Sequence, residues 1–208
     1  MNKGILFDLD GTLWETTDIT LNGINYICDK YKVHHVTREQ VCKCMGLQTE
    51  EAANIFFSDL ELDLACKIID ESIEYNSDIL NEEGGNIYNN VYNTIVNLSN
   101  KYDIYIVSNT NNPKYIESFL NKSNLKDNIK DYIAAAQLKI PKSEAIKKII
   151  KDYNIAKAVY VGDTIKDKES ASEANIPFIY AEYGFGDIKE ELSIKDISEL
   201  EDLILTVL

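Results

Sequence analysis

Asp8 and Asp10 stand two residues apart, where the apolar run Ile5-Leu6-Phe7 gives way to the turn residues Gly11 and Thr12. In an extended strand residues i and i+2 face the same side, so the two carboxylates are expected to converge at the strand's end. Two acids held there without a cation would repel each other. Hard oxygen ligands of this kind suit Mg²⁺, and an ionised aspartate beside a metal can act as a nucleophile and form an aspartyl-phosphate. Three later segments also set polar groups behind apolar strands. Ser108-Asn109-Thr110 follows Ile104–Val107, and a hydroxyl with free backbone N–H groups at a strand end can hold a phosphoryl oxygen. Lys142 sits in Ile140-Pro141-Lys142-Ser143 just before a helix, with Lys139 as the competing lysine. Val159-Tyr160-Val161-Gly162-Asp163-Thr164, with Asp167 close behind, supplies a second acidic cluster for the far side of a metal that Asp8 and Asp10 already face. Each signal alone has a plainer reading: acidic strand ends are common, Ser-Asn is a routine turn, and a single lysine is more often a solvated charge.

The elements that must position these groups fall into three stretches. Residues 3–15 read as a strand and its loop. Residues 16–85 read as helical throughout: Leu21, Ile24, Ile27, Cys28 and Tyr31 recur at helical spacing, and Thr37-x-x-Gln40 is a capping-box pattern. Ala52 to Phe57 and Leu62 to Ile73 continue the apolar faces, up to a breaker and expected hinge at Glu82-Glu83-Gly84-Gly85. The remainder alternates strand and helix. Strands are expected at 103–109, 132–136, 158–161 and 177–183, with helices between them. Asn112-Pro113 opens one helix, Asn175 stops another in a left-handed turn, and Ser198-x-x-Glu201 caps the last. Such alternation implies a parallel sheet with helices on both faces, and sites in these sheets lie outside the carboxyl ends of the strands.

Composition narrows the functional classes. The 208 residues carry a net charge of −14, against a nucleic-acid-binding surface, which needs a basic footprint. A protein this acidic that handles phosphates needs local positive charge in its site. No signal peptide and no apolar stretch near the roughly 18 residues of a membrane span is visible, so a cytoplasmic protein without membrane contact is expected. Cys28, Cys42, Cys44 and Cys66 all fall in the helical stretch; Cys-x-Cys lacks the spacing of zinc sites, and inert helix thiols are expected. His34-His35 reads as a surface turn.

Taken in order, the four segments resemble the motifs of the haloacid dehalogenase superfamily of phosphohydrolases. Asp8-Leu9-Asp10-Gly11-Thr12-Leu13 looks like the first motif, Val107-Ser108-Asn109 the second, the Lys142 region the third, and Val161-Gly162-Asp163-Thr164-Ile165-Lys166-Asp167 the fourth. The resemblance implies a Rossmann-like three-layer α/β/α core with a parallel sheet (residues 1–15 and 86–208). A small all-helical cap domain (16–85) would be inserted after the first strand, as in phosphoglycolate phosphatase-like and β-phosphoglucomutase-like members. It further implies Asp8 as nucleophile and metal ligand, and Asp10 as general acid and base whose backbone carbonyl also binds the metal. Ser108, Asn109, Thr12 and Lys142 would be phosphate-binding groups, and Asp163 and Asp167 the remaining Mg²⁺ ligands. Tyr88 and Tyr183-Gly184-Phe185-Gly186 also resemble phosphatase-like relatives.

Two departures from the family pattern stand out. Leu13-Trp14-Glu15-Thr16 replaces a small or β-branched residue followed by Asp-Ser, so that Trp14 either packs in the hinge or lines the substrate entrance. Pro141 precedes Lys142 where many relatives have Lys-Pro. The expected activity is a Mg²⁺-dependent phosphatase for a small-molecule phosphomonoester, in a monomer or homodimer. The alternatives are a phosphomutase on the same residues and a catalytically silent regulatory protein on the same fold. Lys43, beside Cys42 and Cys44, could meet a substrate anion, although a solvated lysine is the plainer reading.

Overall fold

A computed structural model describes residues 2–82 and 84–208; Glu83 of the expected hinge lies outside them. Strand β1 (Lys3–Phe7) and the two-residue β2 (Trp14–Glu15) lead into four helices, α1 (Thr17–Tyr31), α2 (Arg38–Cys44), α3 (Thr49–Phe56) and α4 (Leu62–Glu82). The chain returns through β3 (Asn86–Ile87), then α5 (Val91–Ser99), β4 (Asp103–Ser108), α6 (Pro113–Ser123), β5 (Asp131–Ala134) and α7 (Lys142–Asp152). It ends with β6 (Lys157–Gly162), α8 (Ile165–Glu173), β7 (Phe178–Ala181), β8 (Ser193–Ile194), a 3₁₀ turn and α9 (Leu200–Val207).

Six strands form one sheet in the order β5-β4-β1-β6-β7-β8, every pair parallel. Continuous apolar runs mark strands covered on both faces, and alternate residues divide between two cores as the two-residue period requires. Ile5, Phe7, Ile104, Ile106, Val159 and Val161 pack with α5, α6 and α9 residues such as Ile95, Phe119 and Ile204. Leu6, Tyr105, Val107 and Tyr160 face the opposite layer, against Ile146 and Ile149 of α7 and Ala171 of α8. This is the three-layer arrangement expected from the alternation of strands and helices.

Helices α1 to α4 hold an apolar cluster of their own, built on Ile24, Cys28, Val41, Ala53, Phe57 and Ile68. Burying each of the larger side chains contributes about 1.5–3 kcal/mol. The Thr37–Gln40 capping box forms as the sequence indicates. At the base of these helices β2 and β3 pair antiparallel, Trp14 opposite Ile87 and Glu15 opposite Asn86. The ribbon lies just outside the helical stretch 16–85, was not expected, and brackets the helices at both ends. Trp14 is fully buried and meets the edges of Tyr115 and Phe119, which settles it as packing at the hinge.

Other expectations need correction. The expected Ser198-x-x-Glu201 cap is replaced by Asp196, whose carboxylate accepts from the Ser198 backbone N–H at 2.9 Å. Helix α5 and strand β8 had no expected counterpart. His34 and His35 lie in the exposed loop between α1 and α2. No helix among the described residues is long and apolar enough to cross a membrane.

Candidate active site

The sheet register brings the chemistry-bearing residues to one rim. Phe7 lies beside Ile106 on one side and Val161 on the other, so Asp8, one residue on, and Ser108 and Asp163, two residues on, emerge together at the carboxyl ends of β1, β4 and β6. Asp8 continues the ladder by one bond, its N–H donating to the Val161 carbonyl at 2.8 Å. Strand geometry then ends, and Asp10 lies in the loop beyond it. The i, i+2 argument therefore does not describe the pair: each carboxylate has its own set of partners, and what they share is the cavity both line.

Asp8, Asp163 and Asp167 are buried, and each offers a carboxylate oxygen within 4.8 Å of the others. Lys142, itself 3% exposed, donates from Nζ to Asp8 Oδ1 at 2.9 Å and to Asp167 Oδ1 at 2.7 Å. Lys139 is exposed in a left-handed turn. Of the two candidate lysines, the structure brings Lys142 to the cluster. Its position at the start of α7 follows from Pro141, which sits in extended conformation and leaves Lys142 as the first helical residue.

Burial, then the Asp167 charge, raise the Asp8 carboxyl to about 7, against the pull of Lys142. Asp163 is held well above the usual carboxylate range by burial, Asp167 and Asp8. Burial works to lower Lys142, but the Asp167 and Asp8 carboxylates outweigh it and keep the ammonium charged. Three carboxylates against one ammonium leave negative charge uncompensated in a buried site, at a cost several carboxylates avoid only by protonating or binding a cation. An all-oxygen donor set of this charge fits a hard divalent ion such as Mg²⁺, with Asp8, Asp163 and Asp167 as the residues to hold it.

The loops around Asp163 are shaped to this cluster. The Phe185 N–H donates to Asp163 Oδ2 at 2.7 Å, and the Thr12 hydroxyl donates to Asp163 Oδ1 at 3.2 Å. Tyr183 in turn donates its hydroxyl to the Thr12 carbonyl at 2.9 Å. A Cβ on Gly11, whose φ is +79°, would overlap the Asp163 carboxylate. Thr12, expected to bind phosphate, directs its buried hydroxyl to Asp163. The Tyr183-Gly184-Phe185-Gly186 segment finds its purpose here, as the outer support of that residue.

Asp10 is supported by residues to which the sequence assigned no such role. One oxygen, Oδ1, accepts from Thr16 Oγ1 at 2.8 Å, Tyr115 Oη at 2.8 Å and Trp14 Nε1 at 3.0 Å. Burial raises the Asp10 carboxyl, and these three donors oppose the rise. Tyr115 lies on α6 and is itself held well above the usual phenol range by burial and the nearby carboxylate, so it remains a donor. Such an arrangement fixes the carboxyl's orientation and leaves its second oxygen for proton transfer.

Above the cluster lies a cavity of about 130 Å³, with Asp8, Asp10, Ser108, Asn109 and Tyr115 on its floor and side chains of α1 to α4 as its roof. Contacts hold the helices over the sheet. Asn109 Nδ2 donates to the Gly46 carbonyl at 2.6 Å, Asn111 donates to Asp70, and Lys166 pairs with Glu51 at 3.4 Å. Asn109, expected to bind phosphate, thus directs its N–H group to the roof, while its Oδ1 is buried with no partner among the described residues. Ser108 is buried, and its Oγ accepts from the Thr110 N–H at 3.3 Å.

Comparison with known proteins agrees with this geometry. The profile of haloacid dehalogenase-like hydrolases matches residues 5–181. No curated protein sequence matches the chain significantly. Among solved structures, a haloacid dehalogenase-like family hydrolase from Streptococcus pneumoniae superposes with a TM-score of 0.84 at 18% identity, covering 98% of both chains. A protein described as a predicted phosphatase, from Clostridium acetobutylicum, gives 0.81 at 19% identity over 99% of both chains. One described as a predicted phosphoglycolate phosphatase, from Haemophilus somnus 129pt, gives 0.83 at 18% identity over 98% of both. At such identities the likeness is one of fold, while the sequence match spans most of the chain, all four motif segments included. The chain belongs to the haloacid dehalogenase-like hydrolases.

Proposed function

We propose that the protein is a Mg²⁺-dependent phosphatase that hydrolyses a small phosphomonoester through an aspartyl-phosphate on Asp8. The observation that carries this reading is the Asp8–Lys142–Asp167 bridge, beside Asp163, beneath a cavity that Asp8 and Asp10 line. In the first step an Asp8 carboxylate oxygen attacks phosphorus. The bond from phosphorus to the ester oxygen breaks, and that oxygen takes the proton from the Asp10 carboxyl. In the second step a water oxygen attacks the same phosphorus, its proton passes to the Asp10 carboxylate, and the Asp8–phosphorus bond breaks to release phosphate. Ser108 at the end of β4 and Lys142 serve the phosphoryl oxygens. A divalent ion held by Asp8, Asp163 and Asp167 would offset the charge gathering on them, since phosphoryl transfer is catalysed chiefly by positioning and electrostatics. Helices α1 to α4 act as a cap that excludes bulk water.

The test is phosphate release from a panel of phosphorylated metabolites with and without Mg²⁺. Wild-type protein should turn over at least one ester only with the metal, and Asp8→Asn should not. Turnover by Asp8→Asn close to wild type would exclude the covalent route.

A further inference from the structure

The roof of the cavity is apolar to a degree that bears on what can enter it. Ile24 of α1, Val41 of α2, Phe56 of α3 and Ile69 and Ile73 of α4 line it, with Met45 at the α2 terminus. Its polar members are neutral: Thr20, Thr49, Ser72 and Asn76. The Ser72 hydroxyl is already spent on the Ile69 carbonyl at 2.7 Å. Among the described residues no lysine, arginine or histidine lines the cavity.

None of the five lysines and arginines of this helical unit, Lys30, Lys32, Arg38, Lys43 and Lys67, lines the cavity, and three of them pair with carboxylates. Arg38 pairs with Asp18 at 3.1 Å and faces Glu15, Lys30 pairs with Glu71, and Lys43 pairs with Glu39 at 2.7 Å on an exposed face. Lys43 is therefore a solvated lysine and not a substrate contact. Lys142 is bound to two carboxylates below the cavity floor. A second anionic group on the substrate would leave water without finding a counter-charge, and an unpaired buried charge is costly.

We infer that the leaving group is uncharged and largely apolar, and that esters carrying a carboxylate or second phosphate are discriminated against. The inference rests on the phosphatase reading and narrows it. The cavity is partly open and must also seat the phosphoryl group on Asp8, so it sets the character of the leaving group and not its size. The chemistry follows from its walls. It separates this chain from relatives named for phosphoglycolate, whose leaving group bears a carboxylate, and from a mutase, which must hold a second phosphate.

A matched pair of substrates isolates the charge: 2-phosphoglycolate and its methyl ester, assayed by phosphate release with Mg²⁺. The expected result is a kcat/KM for the ester at least about tenfold above that for the acid, the ratio that a differential cost near that of one unpaired polar group produces. Equal values, or a preference for the acid, would overturn the inference while leaving the phosphatase reading intact. If phenyl phosphate, the acid and the ester all fail to release phosphate, the phosphatase reading itself falls, and the inference with it. Met45→Arg, placed at the edge of the roof, should move the ratio toward the acid by roughly fivefold or more. A folded variant with an unchanged ratio would show that the roof does not set the preference. The wild-type ratio decides the matter if that variant does not fold.

Discussion

Three donors crowd one oxygen of Asp10, and two of them come from side chains that nothing in the local sequence connects to catalysis. Trp14 reaches it across four residues, and Tyr115 arrives from α6. Asp10→Asn should lose roughly 10²- to 10⁴-fold in kcat, the usual worth of a positioned acid and base, measured as phosphate release. Tyr115→Phe removes one donor and no packing. It should lower kcat by up to about tenfold, the scale of a single hydrogen bond, and leave the melting temperature nearly unchanged. Trp14→Phe tests the indole N–H in the same way, while Trp14→Ala should cost about 3–5 kcal/mol of stability through the cavity it leaves. A kcat for Tyr115→Phe equal to wild type would mean that Thr16 and Trp14 suffice to orient Asp10. The carboxylates themselves were legible because Asp-x-Asp-Gly-Thr places chemistry within five consecutive residues. The tyrosine was not, because only the tertiary fold sets α6 against the loop after β1.

Elements follow the same division between local and distant causes. Signals that act within one turn read correctly except for the Ser198-x-x-Glu201 cap: the Thr37–Gln40 box, Asn112 with Pro113, and Asn175 in the left-handed region all form as expected. Thr37→Ala should therefore cost about 1 kcal/mol in chemical denaturation; no measurable loss would mean that the start of α2 is held by packing alone. Elements without such signals were missed. β2 and β3 have two residues each, too short for any periodicity. α5 starts after Asn90 in a left-handed conformation with no side-chain cap, so it has no recognisable first residue. The four cysteines all lie on helices, and burial pushes Cys28 up to about 11 and Cys44 up to about 12. At pH 8 both should remain thiols and resist alkylation until the chain unfolds, since the thiolate is the reactive form. Rapid labelling of either one in the native protein would contradict the packing of α1 against α2.

At the scale of the whole molecule, a chain of net charge −14 concentrates three carboxylates at the one place where an anionic substrate must arrive. Binding of a divalent ion should then stabilise the fold independently of any turnover. At 100 times its dissociation constant, Mg²⁺ adds about 2.7 kcal/mol, which for a protein of this size corresponds to a rise in Tm of roughly 5–10 °C. Asp163→Asn should abolish most of that rise, and chelation should reverse it. A wild-type Tm indifferent to Mg²⁺ would count against the metal site.

The longest helix spans both halves of the molecule. Ala65, Ile68 and Ile69 of α4 belong to the cluster of the helical unit, whereas Leu80, a few turns on, is buried in the same core as Phe7 and Ile106 of the sheet. Near that end the Ser118 hydroxyl of α6 also donates to the Ser77 carbonyl. The roof over the site is thus the far arm of a lever rooted in the main body, and the insert cannot be cut out as a cassette. A deletion through 17–82 would remove a plug from the body's own interior, and a chain shortened in that way should collapse into an aggregate instead of surviving as a bare catalytic platform.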